Sequence, residues 1–225
     1  MKKTIYFLGN IIVIILAFVM YGVVEQFYFF PNKIIKNYHL NTGIYLALTL
    51  IVTLVILFIL LQYYRGQLNR KNDWQFNEKP HWSTNRLLLA VVAAFVMLLS
   101  EIALILILHI GVNTTSTNQA DLNAISKHAG SFFIPMITII APVFEETIFR
   151  GLFFNMFFSD NTNFNKWVGI LASGFVFGFA HDPGLTKFIL IYWLLGCILA
   201  WVYIQTKDLR YSVITHVLFN SLGFI

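Results

Sequence analysis

The sequence contains little charge and almost no cysteine. Only 11% of its 225 residues are charged and 58% are hydrophobic, and the mean hydropathy is +0.74. These values exclude an ordinary soluble protein and indicate a polytopic membrane protein. Cys197 is the only cysteine, which excludes an intrachain disulfide. Its position inside an apolar run indicates a packing role.

The sequence also lacks internal repeats, a basic stripe interleaved with aromatic residues, and the pattern His-Glu-x-x-His. The net charge of +5 is spread over the segments between apolar runs. This distribution argues against nucleic acid as a partner and favours a lipid bilayer. Without His-Glu-x-x-His, the common zinc-binding helix with two histidines is excluded.

Seven apolar stretches predict an all-α fold, a polytopic transmembrane helical bundle with about seven spans. Residues 1–130 are expected to form an N-terminal unit with three spans, and residues 131–225 a catalytic membrane core with four. The polar segment 111–130 is expected to be an exposed loop. The predicted spans are 5–24, 43–64, 87–110, 131–158, 167–181, 188–205 and 212–225.

The distribution of lysine and arginine predicts that the N-terminus is cytoplasmic. Eleven of these residues fall in segments that would then lie inside, and four fall outside. Positive residues concentrate on the cytoplasmic side of membrane proteins. We therefore expect a multi-pass protein of the cell membrane. The sequence makes no prediction about its oligomeric state.

The fourth predicted span carries Glu145-Glu146-x-x-x-Arg150. A charged side chain at the bilayer centre costs roughly 2.5–3.5 kcal/mol, so charges inside a span indicate function. Glu146 and Arg150 are four residues apart and are expected to pair along one helix face. Glu145 points about 100° away and is the expected chemical group. The alternative is that all three form a structural polar cluster between helices.

Two later spans carry further polar residues. Glu145 and His181 lie at similar distances from the centre of the predicted hairpin between spans four and five, so both should reach a similar depth. Phe177 precedes His181 by one turn, and His216 shares a helix face with Asn220. Because polar groups in a membrane need partners away from lipid, a shared hydrated cavity is expected.

Such a cavity supports hydrolysis in two ways. A carboxylate and an imidazole can take a proton from water as it attacks a carbonyl. An imidazole and a carboxamide can then stabilise the oxyanion. Alternatively, Glu145, His181 and His216 can hold zinc and leave an open position for water. The residues leave both mechanisms open, so the expected cofactor is zinc or none.

Straight helices do not easily form this cavity. If every span crosses straight, His216 lies about five residues past the inner boundary and His181 lies much deeper, a mismatch of about 15 Å. Either spans six and seven are offset or broken, or the predicted boundaries are wrong.

The polar motifs resemble those of the CPBP family of intramembrane proteases. This family includes type II CAAX prenyl endopeptidases and bacterial Abi proteins linked to bacteriocin self-immunity. The resemblance extends from residue 131 to the C-terminus. The three motifs, each on its own apolar span, are Glu145-Glu146-x-x-x-Arg150, Phe177-x-x-x-His181 and His216-x-x-x-Asn220.

The resemblance implies a membrane endopeptidase that acts on a membrane-embedded or membrane-proximal peptide. It implies that Glu145 and His181 activate water. It also implies that His216 and Asn220 stabilise the oxyanion, with supporting roles for the remaining motif residues Glu146, Arg150 and Phe177. Both metal-dependent and metal-free mechanisms are argued for this family, so the resemblance leaves the cofactor open.

Three other classes of protein compete with this interpretation. A rhomboid-type serine protease matches Ala180-His181-x-x-Gly184, but Ser173-Gly174 lacks the preceding glycine of the nucleophile pattern. A proton-coupled transporter also uses Glu and His, but neither a repeated half nor paired broken helices are present. A non-catalytic membrane immunity or partner-binding protein would keep the polar residues only to hold helices together.

Overall fold

In a computed structural model the chain is a bundle of helices. The structure describes residues 2–78, 82–111 and 114–223, and this part of the chain contains no β-strand. The predicted all-α class is therefore confirmed. In chain order the helices are α1 (Lys2–Phe29), α2 (Pro31–Tyr38), α3 (Thr42–Arg70), α4 (Thr84–Ile107), α5 (Thr117–Ala129), α6 (130–157), α7 (Asn163–His181), α8 (Phe188–Thr206) and α9 (Leu209–Leu222).

Five stretches of the described residues are long and apolar enough to cross a membrane. They are most of α1, all of α3, α4 and α8, and the continuous stretch formed by α5 and α6. Large apolar side chains such as Leu16, Leu50 and Leu99 are exposed on these helices, as contact with lipid requires. The chain is therefore a multi-pass membrane protein.

Helices α7 and α9 occupy the positions of the fifth and seventh predicted spans. They contain 19 and 14 residues, and neither is among the five stretches that meet the length and hydropathy required for crossing. The total of about seven spans therefore stays a prediction.

The expectation of a loop at 111–130 is wrong from Thr117 onward. The Ser116 side-chain oxygen accepts a hydrogen bond from the Gln119 backbone N–H at 3.1 Å, which caps the start of α5. Helix α5 then continues into α6, so Thr117–Phe157 is one helical stretch of 41 residues. Its polar composition concealed α5, because hydropathy patterns detect helices through their apolar face.

Helix α6 is not a regular α-helix. Met136–Ile140 and Thr147–Phe154 are π-helical and flank the α-helical turn Ala141–Glu146. The Asn155 side-chain amide donates to the backbone carbonyls of Arg150 at 3.1 Å and Gly151 at 2.8 Å, so it satisfies acceptors of the second π segment. Such segments often occur at functional sites, and this one directly follows the Glu145-Glu146 pair.

Residues 71–78 connect α3 to the C-terminal helices. The Trp74 indole donates a hydrogen bond to the Phe158 carbonyl at 2.8 Å. The Phe76 ring stacks on the Tyr203 ring of α8 with a centroid distance of 4.1 Å, and Lys71 pairs with Asp160. These contacts join residues 1–130 to residues 131–225. They do not test the predicted division of the chain into these two units, which stays a prediction.

Helices α7 and α8 approach each other through glycines. A Cβ atom at Gly174 would lie 2.5 Å from the Cys197 sulfur and 2.9 Å from the Trp193 carbonyl oxygen. A Cβ atom at Gly196 would lie 2.8 Å from the Gly174 Cα. Small residues allow membrane helices to approach this closely, so Gly174 and Gly196 set the separation of α7 and α8.

Gly174→Ala is expected to destabilise the protein by about 1–3 kcal/mol, the typical cost of overpacking. The measurement is thermal unfolding in detergent. Gly66→Ala in α3 is the matched control, because its added Cβ would meet no atom within 4 Å beyond the adjoining backbone of its own helix, and alanine favours helix more than glycine does. A Gly174→Ala variant that unfolds at the wild-type temperature would contradict the close approach.

Candidate active site

The Glu146–Arg150 pair is completely buried and joins α6 to α8. Arg150 Nη1 donates to Glu146 Oε1 at 2.8 Å, and Nη2 donates to the Gly196 carbonyl at 2.7 Å. Neither charged side chain is exposed to solvent. The guanidinium also lies 5.0 Å from the Phe177 ring centroid of α7. The expected ion pair is thus present, and its arginine contacts two neighbouring helices.

His216 of α9 contacts the same carboxylate. Its Nδ1 lies 3.1 Å from Glu146 Oε1, and because a carboxylate only accepts hydrogen bonds, Nδ1 carries a proton. In the neutral ring Nε2 is then an acceptor. This Nε2 lies 3.7 Å from Glu145 Oε2. Glu146 therefore sets both the orientation and the tautomer of His216.

His181, the last residue of α7, is fixed in a similar way. Its Nδ1 lies 2.9 Å from the Phe177 carbonyl oxygen, which also only accepts, so Nδ1 is the donor. Its Nε2 lies 3.8 Å from Glu145 Oε2. The imidazole packs against the Phe177 ring at 4.3 Å and stacks on the Tyr192 ring of α8 at 5.0 Å. Phe177 therefore supports His181 through both its carbonyl and its ring.

Glu145 lies between α1, α7 and α9. Its Oε2 is near both imidazoles, while its Oε1 accepts a hydrogen bond from the Tyr21 hydroxyl of α1 at 3.2 Å. Its side chain is 13% exposed, whereas that of Glu146 is 0% exposed. Of these two adjacent acids, Glu145 is therefore the one with exposed surface.

Three acceptor atoms lie close together in this arrangement, with Glu145 Oε2 near the Nε2 atoms of both His181 and His216. The distances of 3.7 and 3.8 Å from the oxygen to the two nitrogens exceed hydrogen-bond range. One water placed about 2.8 Å from the oxygen and from one nitrogen can donate a hydrogen to each. A water held between a carboxylate and an imidazole is arranged for general-base catalysis.

The zinc alternative requires Glu145, His181 and His216 to converge on one ion. The ligand types suit zinc, and each histidine Nδ1 has an acceptor of the kind that supports metal ligands. In residues 2–78, 82–111 and 114–223, however, no group of three or more His, Cys, Asp or Glu side chains is placed to hold a metal ion. The choice between zinc and no cofactor therefore stays a prediction, and the mechanism proposed below is written with side chains alone.

Asn220 lies one turn beyond His216 on α9. Its side-chain amide donates to the Ile137 backbone carbonyl of α6 at 2.8 Å. One of its two amide hydrogens therefore holds α9 against the first π-helical segment. The oxyanion-stabilising role that the resemblance implies for Asn220 stays a prediction and would have to use the other hydrogen.

The two histidines reach the same carboxylate oxygen, although straight crossings would place them about 15 Å apart in depth. Helix α9 begins at Leu209 and contains only 14 residues, so His216 lies two turns after its start. Helix α7 ends at His181. The predicted seventh span began at residue 212, three residues later than α9 does. The offset of spans six and seven stays a prediction.

Sequence reasoning missed two residues of α1. Tyr21 donates to Glu145, and Glu25 lies one turn further along the same face, close enough to interact electrostatically with Glu145. The available signal was an acid and a tyrosine four residues apart near the end of the first apolar run. The sequence contained no information about which helix this pair faces.

These observations define a polytopic helical membrane protein with a glutamate and two histidines around a partly exposed site. Residues 128–222 match the family model described as Type II CAAX prenyl endopeptidase Rce1-like. The matched segment extends from the end of α5 through α9 and contains the three predicted motifs. This match and the relatives below agree with the resemblance of the three motifs to the CPBP family of intramembrane proteases.

Three relatives illustrate how far the similarity extends. The membrane-embedded CAAX protease MroQ of Staphylococcus aureus (strain USA300) is 31% identical over 137 residues, 59% of this chain and 53% of that protein. The putative membrane peptidase YdiL of Bacillus subtilis (strain 168) is 31% identical over 116 residues, 51% of this chain and 45% of that protein. The UPF0177 protein YaiF of Lactococcus lactis subsp. lactis (strain IL1403) is 26% identical over 192 residues, 83% of this chain and 81% of that protein.

The aligned part of this chain thus spans about half the length of the two relatives named as peptidases. No solved structure matches the chain significantly.

Proposed function

We propose that this protein is an endopeptidase that cleaves a membrane-embedded or membrane-proximal peptide with water activated by Glu145 and His181. The observation that carries the proposal is the position of Glu145 Oε2, 3.8 Å from His181 Nε2 and 3.7 Å from His216 Nε2. Side chains that only held helices together would close such gaps to hydrogen-bond distance, as Glu146 and Arg150 do at 2.8 Å.

In the proposed reaction a water donates one hydrogen to Glu145 Oε2 and the other to His181 Nε2. Its oxygen attacks the peptide carbonyl carbon, a C–O bond forms, and one water proton passes to Glu145 while the carbonyl oxygen becomes an oxyanion. The C–N bond then breaks, and Glu145 returns the proton to the leaving amine. The products are a peptide acid and a peptide amine.

His216 is proposed to stabilise the oxyanion. Since its Nδ1 faces Glu146, its Nε2 can donate a hydrogen bond only when the ring carries both protons. Glu146 would then compensate the positive charge from the buried side. This role explains why the first of the paired acids faces the open space and the second faces the protein interior.

The experiment compares peptide cleavage by wild type, His181→Ala and His109→Ala protein in liposomes. The probes are lipid-anchored peptides with a fluorophore and a quencher, each made with and without a prenyl group. Wild type is expected to cleave at least one peptide. His181→Ala should lower kcat by about 100-fold, because the water loses the imidazole that orients it for general-base catalysis by Glu145.

His109→Ala is the control and should cleave like wild type, because His109 is exposed beyond the end of α4. Equal cleavage by His181→Ala and wild type would contradict the assigned role. A difference between prenylated and unprenylated probes would identify the substrate class.

The non-catalytic alternative assigns the protein to bacteriocin immunity or partner binding without hydrolysis. The partly exposed Glu145, with both imidazoles beyond hydrogen-bond distance, favours hydrolysis instead. We infer that any role in self-immunity depends on cleavage, so His181→Ala cells should lose protection against the bacteriocin together with cleavage. Protection that persists in those cells would support the non-catalytic alternative.

A further inference from the structure

Glu145 is held from a helix outside the family match. The match covers residues 128–222, whereas the hydroxyl that donates to Glu145 Oε1 at 3.2 Å belongs to Tyr21 of α1. The Tyr21 ring is buried and stacks on the Phe144 ring with a centroid distance of 5.5 Å and an interplanar angle of 14°. The ring is thereby fixed, and with it the direction of the hydroxyl.

The two oxygens of Glu145 have different neighbours. Oε1 is bound by Tyr21, whereas Oε2 faces the Nε2 atoms of His181 and His216 at 3.8 and 3.7 Å. A glutamate without the Tyr21 contact could rotate and present either oxygen in several directions. The hydrogen bond to Oε1 restricts that rotation and keeps Oε2 directed at the space between the imidazoles.

A second acid competes for the same hydroxyl. Glu25 lies one turn after Tyr21 on α1 and interacts with both Tyr21 and Glu145. A tyrosine hydroxyl has one hydrogen to donate, and in the structure this hydrogen is directed to Glu145. Tyr21 thus lies near both acids and donates its single hydrogen to Glu145.

We propose that Tyr21 is a positioning residue for Glu145 and that α1 is therefore an integral part of the active site. This inference rests on the proposed function. Tyr21 acts through geometry, because a general base contributes fully only when it is held in the orientation that the reaction requires.

The test is Tyr21→Phe, which keeps the stacked ring and removes the hydroxyl. We expect kcat to fall about tenfold, as for the loss of one hydrogen bond to a charged group. KM should stay within about twofold, because the contact concerns the base and not substrate binding. The unfolding temperature in detergent should stay that of wild type, which separates positioning from a structural role.

Tyr28→Phe is the matched control. Tyr28 is also a buried tyrosine of α1, and its hydroxyl accepts a hydrogen bond from Thr53 of α3 at 3.3 Å. This variant therefore loses an interhelical hydrogen bond at a distance from Glu145, and its kcat should be unchanged. An equal fall in kcat for both variants would show a packing effect and overturn the inference.

Glu145→Gln separates this inference from the proposed function. If Glu145→Gln is inactive and Tyr21→Phe has wild-type kcat, the role of Tyr21 is wrong and the proposed function stands. If Glu145→Gln cleaves like wild type, both are wrong. The double variant should be no less active than Glu145→Gln alone, because Tyr21 acts through Glu145.

Discussion

Glu145→Gln is expected to lower kcat for peptide cleavage by at least about 100-fold, with little change in the unfolding temperature. Glutamine has nearly the shape of glutamate, and its side-chain oxygen can still accept the hydrogen bond from Tyr21. It cannot take a proton from water, so the step that produces the nucleophile is lost. The measurement is the cleavage rate of the lipid-anchored fluorogenic peptides in liposomes at matched amounts of protein.

Glu101→Gln is the matched control for this variant. Glu101 is another glutamate within an apolar helix, α4, and is also partly buried, so the substitution again removes one carboxylate from a span. Its cleavage rate should equal that of wild type. If Glu145→Gln and Glu101→Gln both cleave normally, Glu145 is not the base and the enzyme hypothesis fails.

Arg150→Met is expected to destabilise the protein by about 3–5 kcal/mol, because it removes one partner of a completely buried ion pair. Glu146 would then remain in the interior without its arginine, and the bond from Arg150 to the Gly196 carbonyl would also be lost. We expect a low yield of folded protein and a clearly lower unfolding temperature in detergent.

Two comparisons identify the cause of the expected loss of stability. Arg65→Met removes an exposed arginine of α3 and should leave the unfolding temperature nearly unchanged. The double variant Glu146→Leu/Arg150→Met should be more stable than Arg150→Met alone, because no unpaired charge remains buried. A single Arg150→Met variant as stable as wild type would refute the structural role of the pair.

Local spacing in the sequence was sufficient to predict much of the site. The separation of four residues between Glu146 and Arg150 predicted their pairing, and hairpin symmetry predicted that Glu145 and His181 would meet. Both predictions depend only on helix geometry and on the exclusion of polar groups from lipid. The position of His216 was harder to predict, because it depends on where α9 begins. Local hydropathy does not determine that point.

The contacts that sequence reasoning missed all depend on how distant helices face each other. Tyr21 is 124 positions away from Glu145 in the chain, and Asn220 is 83 positions away from Ile137. An apolar helix surrounded by lipid and protein has no single polar face to indicate its orientation. The polar helix α5 was missed for the converse reason, since it lacks an apolar pattern.

The π-helical segment Thr147–Phe154 has a consequence for how α6 tolerates changes in length. A π segment arises when one extra residue is accommodated within an α-helix. Deletion of one residue there would let the segment return to regular α-helix, and the residues on its two sides would keep nearly the same relative orientation. Deletion of a residue from a regular α-helix would instead rotate the two sides by about 100° relative to each other. The π-helical segment is therefore the part of α6 in which the loss of one residue should disturb the direction of Glu145 least.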